Sequence, residues 1–212
     1  MTTAEKRFGI RSFVYESRRP FSVDRVMHML LPGLDAEVSP ETEILLRSHS
    51  KDRAGAILRK ARDGENAEAH PMKSVLRSKG FLWLNSHHHL AMYWSHAGRH
   101  FEIRPEGDWW CTVDEGDWPT DAAQREIILS DFVSVDHSIA AADKGTGGRA
   151  ASFSPGDRRN ELVVIGIKMD DDAIREALDK CLLDDAEFEE YLVRWKEYPD
   201  PQISFVADAG KS

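Results

Sequence analysis

Five of the nine histidines fall between residues 87 and 100: His87, His88, His89, His96 and His100. Neutral imidazole is the commonest metal ligand and suits zinc, cobalt and nickel, so the cluster points first to metal chemistry. Strand geometry divides it. At about 3.3 Å per residue, His87 and His96 on one strand lie roughly 30 Å apart, farther than one coordination sphere spans. His87 and His89 share a strand face about 7 Å apart and can close on one ion, whereas His96 and His100 flank a hairpin tip. Each pair supplies two ligands and a tetrahedral zinc site needs more, with Glu106 and Asp108 on the partner strand as candidates. The plainer alternative is a solvated loop at His87 to His89 and an ordinary turn residue at His96.

Other chemistries have weaker support. A phosphate-binding loop needs G-x-x-x-x-G-K-[ST] between a strand and a helix. Gly210-Lys211-Ser212 matches only its last three letters, and Phe205 stands where the first glycine belongs. Gly145-Thr146-Gly147-Gly148 lacks the following lysine and hydroxyl, so no nucleotide is expected to bind this chain. Ser95-His96 has no third partner and no nucleophile elbow around it. Cys111 and Cys181 form no C-x-x-C pair and read as inert, reduced core thiols.

Trp83, Trp94, Trp109 and Trp110 alternate with Arg77, Lys79, Arg99 and Arg104, a pattern compatible with base stacking. Packing is the stronger reading, because Trp83 shares parity with Phe81 and Val75. Those of Trp94, Trp109 and Trp110 that the core does not take, together with Arg77 and Lys79, would form a protein-binding patch. Arg158 and Arg159 stand just before an apolar strand, where they either pair with carboxylates or form a docking edge.

The elements that must position these residues follow from periodicity. Phe8 to Tyr15 is expected as a strand buried on both faces. Ser22 caps a helix carrying Val23, Val26, Met27, Leu30 and Leu31, which Pro32-Gly33 stops. A helix is expected over 41–62. Strands follow at 75–84, 88–95 and 99–104, with Gly98 turning the last pair into a hairpin. Trp109 and Trp110 continue extended, and a helix starts after Pro119-Thr120-Asp121. Leu162 to Ile167 reads as a central strand buried on both faces, and helices follow from Asp170 and from Asp185 to Trp195. The fold class is α+β: a mixed, mainly antiparallel sheet with helices packed on one face, strand one and Leu162 to Ile167 lying centrally. One domain is expected over 8–200, with variable insertions at 35–72 and 134–157 and tails at 1–7 and 201–212.

Composition narrows the function classes. With 212 residues, 41% hydrophobic and 9% aromatic, the chain can bury a core without staples. A net charge of −9 argues against a nucleic-acid or anionic-membrane surface. The first residues are too polar for a signal peptide and no run spans a bilayer, so a cytoplasmic location is expected.

Several segments then combine. Ile10-Arg11-Ser12-Phe13-Val14-Tyr15 with Arg18-Arg19-Pro20-Phe21, Val75 to Leu84 (VLRSKGFLWL), Trp94-Ser95-His96-Ala97-Gly98, Gly107-Asp108-Trp109-Trp110 and Gly156 to Gly166 (GDRRNELVVIG) resemble, in order and spacing, the C-terminal domain of CobW-like proteins. The resemblance covers about residues 8 to 200. It implies this α+β fold beside an N-terminal P-loop GTPase that binds zinc or cobalt through C-x-C-C and delivers metal to a client metalloenzyme or to cobalamin synthesis. This chain has no Walker A motif, no C-x-C-C and no guanine-specifying segment, so no catalytic residue of the family carries over. The expectation is a non-enzymatic interaction and regulatory module, a fragment or a free-standing domain. It would dock a CobW-family GTPase domain or client metalloprotein and hold zinc or cobalt at His87 and His89. The competing readings are a self-contained metal-dependent hydrolase built on the histidines and a homodimeric scaffold using the meander edge.

Overall fold

The structure is a computed structural model and describes residues 7–49, 70–132 and 155–197. Six strands form one sheet in the order β1-β6-β3-β4-β5-β2. They are β1 (Ile10–Ser17), β2 (Glu37–Val38), β3 (Val75–Leu82), β4 (Leu90–Ala97), β5 (His100–Asp108) and β6 (Asn160–Ile167). All neighbours are antiparallel except the short β2, which runs parallel to the start of β5. The helices are α1 (Val23–Arg25, continued by a wide turn over Val26–Leu30 and a tight one over Leu31–Leu34), α2 (Pro40–His49), α3 (Ala122–Ser130), α4 (Asp171–Asp179) and α5 (Asp185–Glu197).

One face of the sheet carries the main core. Tyr15, Leu162, Val164, Val75, Leu82, Met92, Trp94, Phe101 and Ile103 project from it against Val26, Leu30, Leu46, Ile174 and Leu178 of α1, α2 and α4. Ser22 caps α1 as its sequence anticipates, accepting from the Arg25 amide, and Val23, Val26, Met27, Leu30 and Leu31 are all buried. Pro32-Gly33 tightens the helix rather than ending it, and the last turn reaches Leu34. Asp121 and Asp170 cap α3 and α4 through the Gln124 and Ala173 amides. Gly98 turns the β4–β5 hairpin at φ +57°, a left-handed conformation that glycine adopts without a Cβ penalty. Gly80 serves close approach instead: a Cβ there would lie 1.8 Å from the Glu161 carbonyl oxygen on β6.

Two strand expectations are corrected. β1 is an edge strand, not a central one, and its Val14 side is exposed. β6 is internal but buried on one face only, since Val163 and Ile167 face outward while Leu162 and Val164 enter the core. Helices α1, α2 and α4 cover one face, and α5 packs on the other only near Phe81 and Ala91, so the apolar run of β6 reflects a sheet face left open there and not double burial. Trp110–Thr112 is a tight turn, not extended structure, and α3 buries Ile128 but leaves Ile127 and Leu129 exposed. Pro155, Gly156 and Asp157, read as part of an insertion, are buried. The expectations for 50–62, for most of the 134–157 insertion and for both chain ends lie outside the described residues.

Candidate functional site

Phe21, Asn160 and Arg158 converge on Trp83 at the end of β3, where the chain passes from Leu82 through Trp83 and Leu84 into the histidine segment. Pro20-Phe21-Ser22 threads between this segment and the α4–α5 junction. The Phe21 amide donates to the Trp83 carbonyl at 2.8 Å, and the Ser22 amide donates to the Cys181 carbonyl at 2.8 Å. Asn160, fully buried, accepts from the Trp83 amide at 2.8 Å and donates to the Arg19 carbonyl at 2.7 Å. The Arg-Arg-Pro-Phe segment is thus a structural clasp joining β1, β3, β6 and the C-terminal helices.

Beside it a cleft of about 590 Å³ is lined by Arg18, Arg19, Arg25 and Lys180 with Asp179 and Asp184. Arg19 donates to the Leu183 carbonyl and pairs with Asp185, and Arg25 donates to the Leu182 carbonyl and to both oxygens of Glu187. These guanidinium groups hold the junction together.

Trp83 anchors a second cluster with Ala91, Trp109, Leu183, Phe188 and Tyr191. Its indole N–H donates to the Tyr191 hydroxyl at 2.8 Å, and its ring meets Phe188 and Tyr191 edge-on. Arg158, 3% exposed, lies 5.9 Å from the Trp83 ring centroid and 5.5 Å from that of Trp195, with its Nε donating to the His88 carbonyl. Asp157 accepts from the Trp110 and Cys111 amides, fixing the tight turn after β5.

The structure separates the predicted site residues. His87 to His89 lie in a turn before β4 rather than on a strand, so the shared face expected of His87 and His89 does not form. His87 is buried and its Nδ1 shares a 2.8 Å hydrogen bond with Ser86 Oγ, while His88 packs 4.6 Å from the Tyr191 ring. His96 and His100 take opposite faces of the hairpin, because His96 pairs with Phe101 and His100 with Ala97. Among the described residues no three His, Cys, Asp or Glu side chains come together. They do not fit a metal centre, so neither a metal-dependent hydrolysis nor a metal-holding step is derived from them. Cys111 and Cys181 are held as thiols, burial pushing both up to about 12.

Of the proposed interaction residues, Trp94, Trp109 and Arg158 are buried and belong to the core, Trp94 donating to Ser78 Oγ. Trp110 is half-buried against Trp118. Arg159 pairs with Glu161 and Asp131. Arg77 and Lys79 remain on the outer sheet face, the latter 5.7 Å from the Tyr93 centroid. The structural role of Asn160 escapes sequence reading, since its two acceptor and donor partners lie 77 and 141 residues away.

His96 confers a pH dependence. Burial lowers its pKa below the ordinary value near 6.5, partly countered by its hydrogen bond to the Gly98 carbonyl, and His70 is lowered by burial in the same way, partly countered by its hydrogen bond to the Met29 carbonyl. A depressed histidine pKa leaves the unfolded chain holding more protons, so stability is complete above about pH 6.5 and declines as pH falls below it. Urea midpoints at pH 7.5 and 5.5 should show that decline, and a His96→Gln variant should show less of it.

The fold and this clasp define a single-sheet α+β domain organised around its β3 end. The family model described as "Cobalamin synthesis protein cobW C-terminal domain" matches residues 51–182, and the chain belongs to that family. A curated relative, "Zinc-regulated GTPase metalloprotein activator 1" of Dictyostelium discoideum, is 27% identical over 195 residues, covering 92% of this chain and 30% of its own length. The chain therefore spans about a third of that relative. Among solved structures, the Zn(II)-bound YjiA GTPase from E. coli is 15% identical with a TM-score of 0.39, covering 85% of this chain and 32% of its own. A Zn(II)-bound triple mutant of the YjiA GTPase is 14% identical with a TM-score of 0.40, covering 82% and 30%. No helix among the described residues is long and apolar enough to cross a membrane.

Proposed function

We propose that this chain is a non-enzymatic interaction and regulatory module of a CobW-type zinc or cobalt metallochaperone system, which docks a GTPase domain. The observation that carries this reading is the match of residues 51–182 to a family of C-terminal domains. The relative's name supports a system in which a GTPase and zinc act together. Metal enters this reading with the GTPase partner, because among the described residues no three His, Cys, Asp or Glu side chains come together.

Calorimetric titration of the full chain with the CobW-family GTPase of the same organism tests it, with GTP or GDP and with or without zinc. Binding at about 10 μM or tighter is expected, a strength ordinary for a regulated complex. It should differ between nucleotide or zinc states, and the chain alone should hydrolyse no GTP. Absence of binding in every state would sink the docking role.

A further inference from the structure

Pro32 has no N–H, so the tight turn over Leu31–Leu34 offers no donor at i+3 to the Met29 carbonyl. His70 supplies one, its Nε2 donating to the Met29 carbonyl at 2.8 Å. The same ring accepts at Nδ1 from the Met72 amide at 3.2 Å, capping the tight turn Pro71–Ser74 that leads into β3. A main-chain N–H only donates and a carbonyl only accepts, so both contacts hold in one state of the ring alone, the neutral imidazole with its proton on Nε2. The ring fills the space beside Gly33, where a Cβ would lie 1.9 Å from Nδ1. Met72 is 1% exposed in the main core, and β3 is an inner strand between β6 and β4.

We infer that His70 is a proton-operated latch: neutral, it ties the last turn of α1 to the entry of β3, and on taking up a proton at Nδ1 it releases the Met72 amide and lets that entry part from α1. The proton takes the lone pair that the Met72 N–H uses, and an amide beside the core is left without its acceptor. Few charges bear on the ring. Arg25 is held by Glu187, and Asp171, Arg175 and Asp179 of α4 turn to β1, where they meet Arg11, the Val14 carbonyl and Tyr15. Asp24 and His28 of α1, Asp35 past the tight turn, Lys73 on the ring's own turn and Asp172 of α4 form no ion pair with His70 among the described residues. No neighbouring carboxylate therefore holds a proton on the ring, and burial works against one. The released ring binds a proton more readily than the latched one, so the latch is closed at neutral pH and opens as pH falls below about 6.5.

Nitrogen-15 spectra of the histidine rings and amide hydrogen exchange, both on the full chain, test this. At pH 7.5 the His70 ring should be the Nε2–H tautomer, and an Nδ1–H ring would overturn the latch. Between pH 7.5 and 5.0 protection at the Met72 amide should fall severalfold more than at Trp94 in β4, which reports the stability of the whole sheet. His70→Asn, whose side-chain oxygen accepts from the Met72 amide at either pH, should remove that excess. Gly33→Ala should displace the ring and leave Met72 poorly protected already at pH 7.5. If Gly33→Ala does not fold, wild type and His70→Asn decide alone. Met72 protection that falls only in step with Trp94, the same excess in His70→Asn, or wild-type protection in a folded Gly33→Ala would each overturn the proposal.

Discussion

Trp83→Ala should be the most damaging single substitution in the domain, lowering stability by about 3–5 kcal/mol. The ring is fully buried and touches both ends of the fold: Phe188 and Tyr191 from α5 and the Arg158 guanidinium from the loop before β6. Removing it deletes the centre of the second cluster and leaves the Tyr191 hydroxyl without its indole donor. The cavity would also strip Arg158 of one of its two stacking planes. Small domains hold about 5–15 kcal/mol in total, so this loss takes a large share of it. Urea denaturation followed by circular dichroism measures it, and Trp83→Phe, which keeps most of the area but not the N–H, should lose clearly less. A Trp83→Ala midpoint within error of wild type would show that α5 is not held by this contact.

Asn160→Ala should cost about 2–5 kcal/mol by a different route. No large volume is lost, but two main-chain groups, the Trp83 N–H and the Arg19 carbonyl, lose their partner at a fully buried position. Each buried unsatisfied group costs about 1–3 kcal/mol. Asn160→Asp should also destabilise, since a carboxylate can accept from Trp83 but has no donor for Arg19. Amide hydrogen exchange gives a local reading: protection at Trp83 should fall in Asn160→Ala before protection in β4 and β5 does. Equal loss across the sheet would mean that the clasp does not open separately.

Much of the architecture was legible in the sequence because it rests on local signals. Ser22, Asp121 and Asp170 cap helices at their own amides, Gly98 turns its hairpin within two residues, and the stripe from Val23 to Leu31 is a property of one helix. Five segments in register carried the family resemblance, and the match over 51–182 agrees with it. Exposure of Arg77 was legible for the same reason, since a charged residue on a strand stays in water unless it is paired.

What the sequence by itself determined was thus the longer elements, their order and the family, while the two-residue β2 and the tight turn at Trp110–Thr112 escaped it. The tertiary structure alone decided which side of each strand meets helices and which side stays open. An apolar run such as Leu162 to Ile167 has the same composition whether two layers or one cover it, and only the placement of α1, α2 and α4 on a single face exposes Val163 and Ile167. The histidines illustrate the same limit. Two residues apart on a strand, His87 and His89 would share a face, but β4 begins at Leu90 and leaves them in a turn, His87 buried and His89 half-buried. Spacing along a chain specifies a site only when the backbone between the residues is regular, and here the backbone bends to carry Trp83 into its cluster.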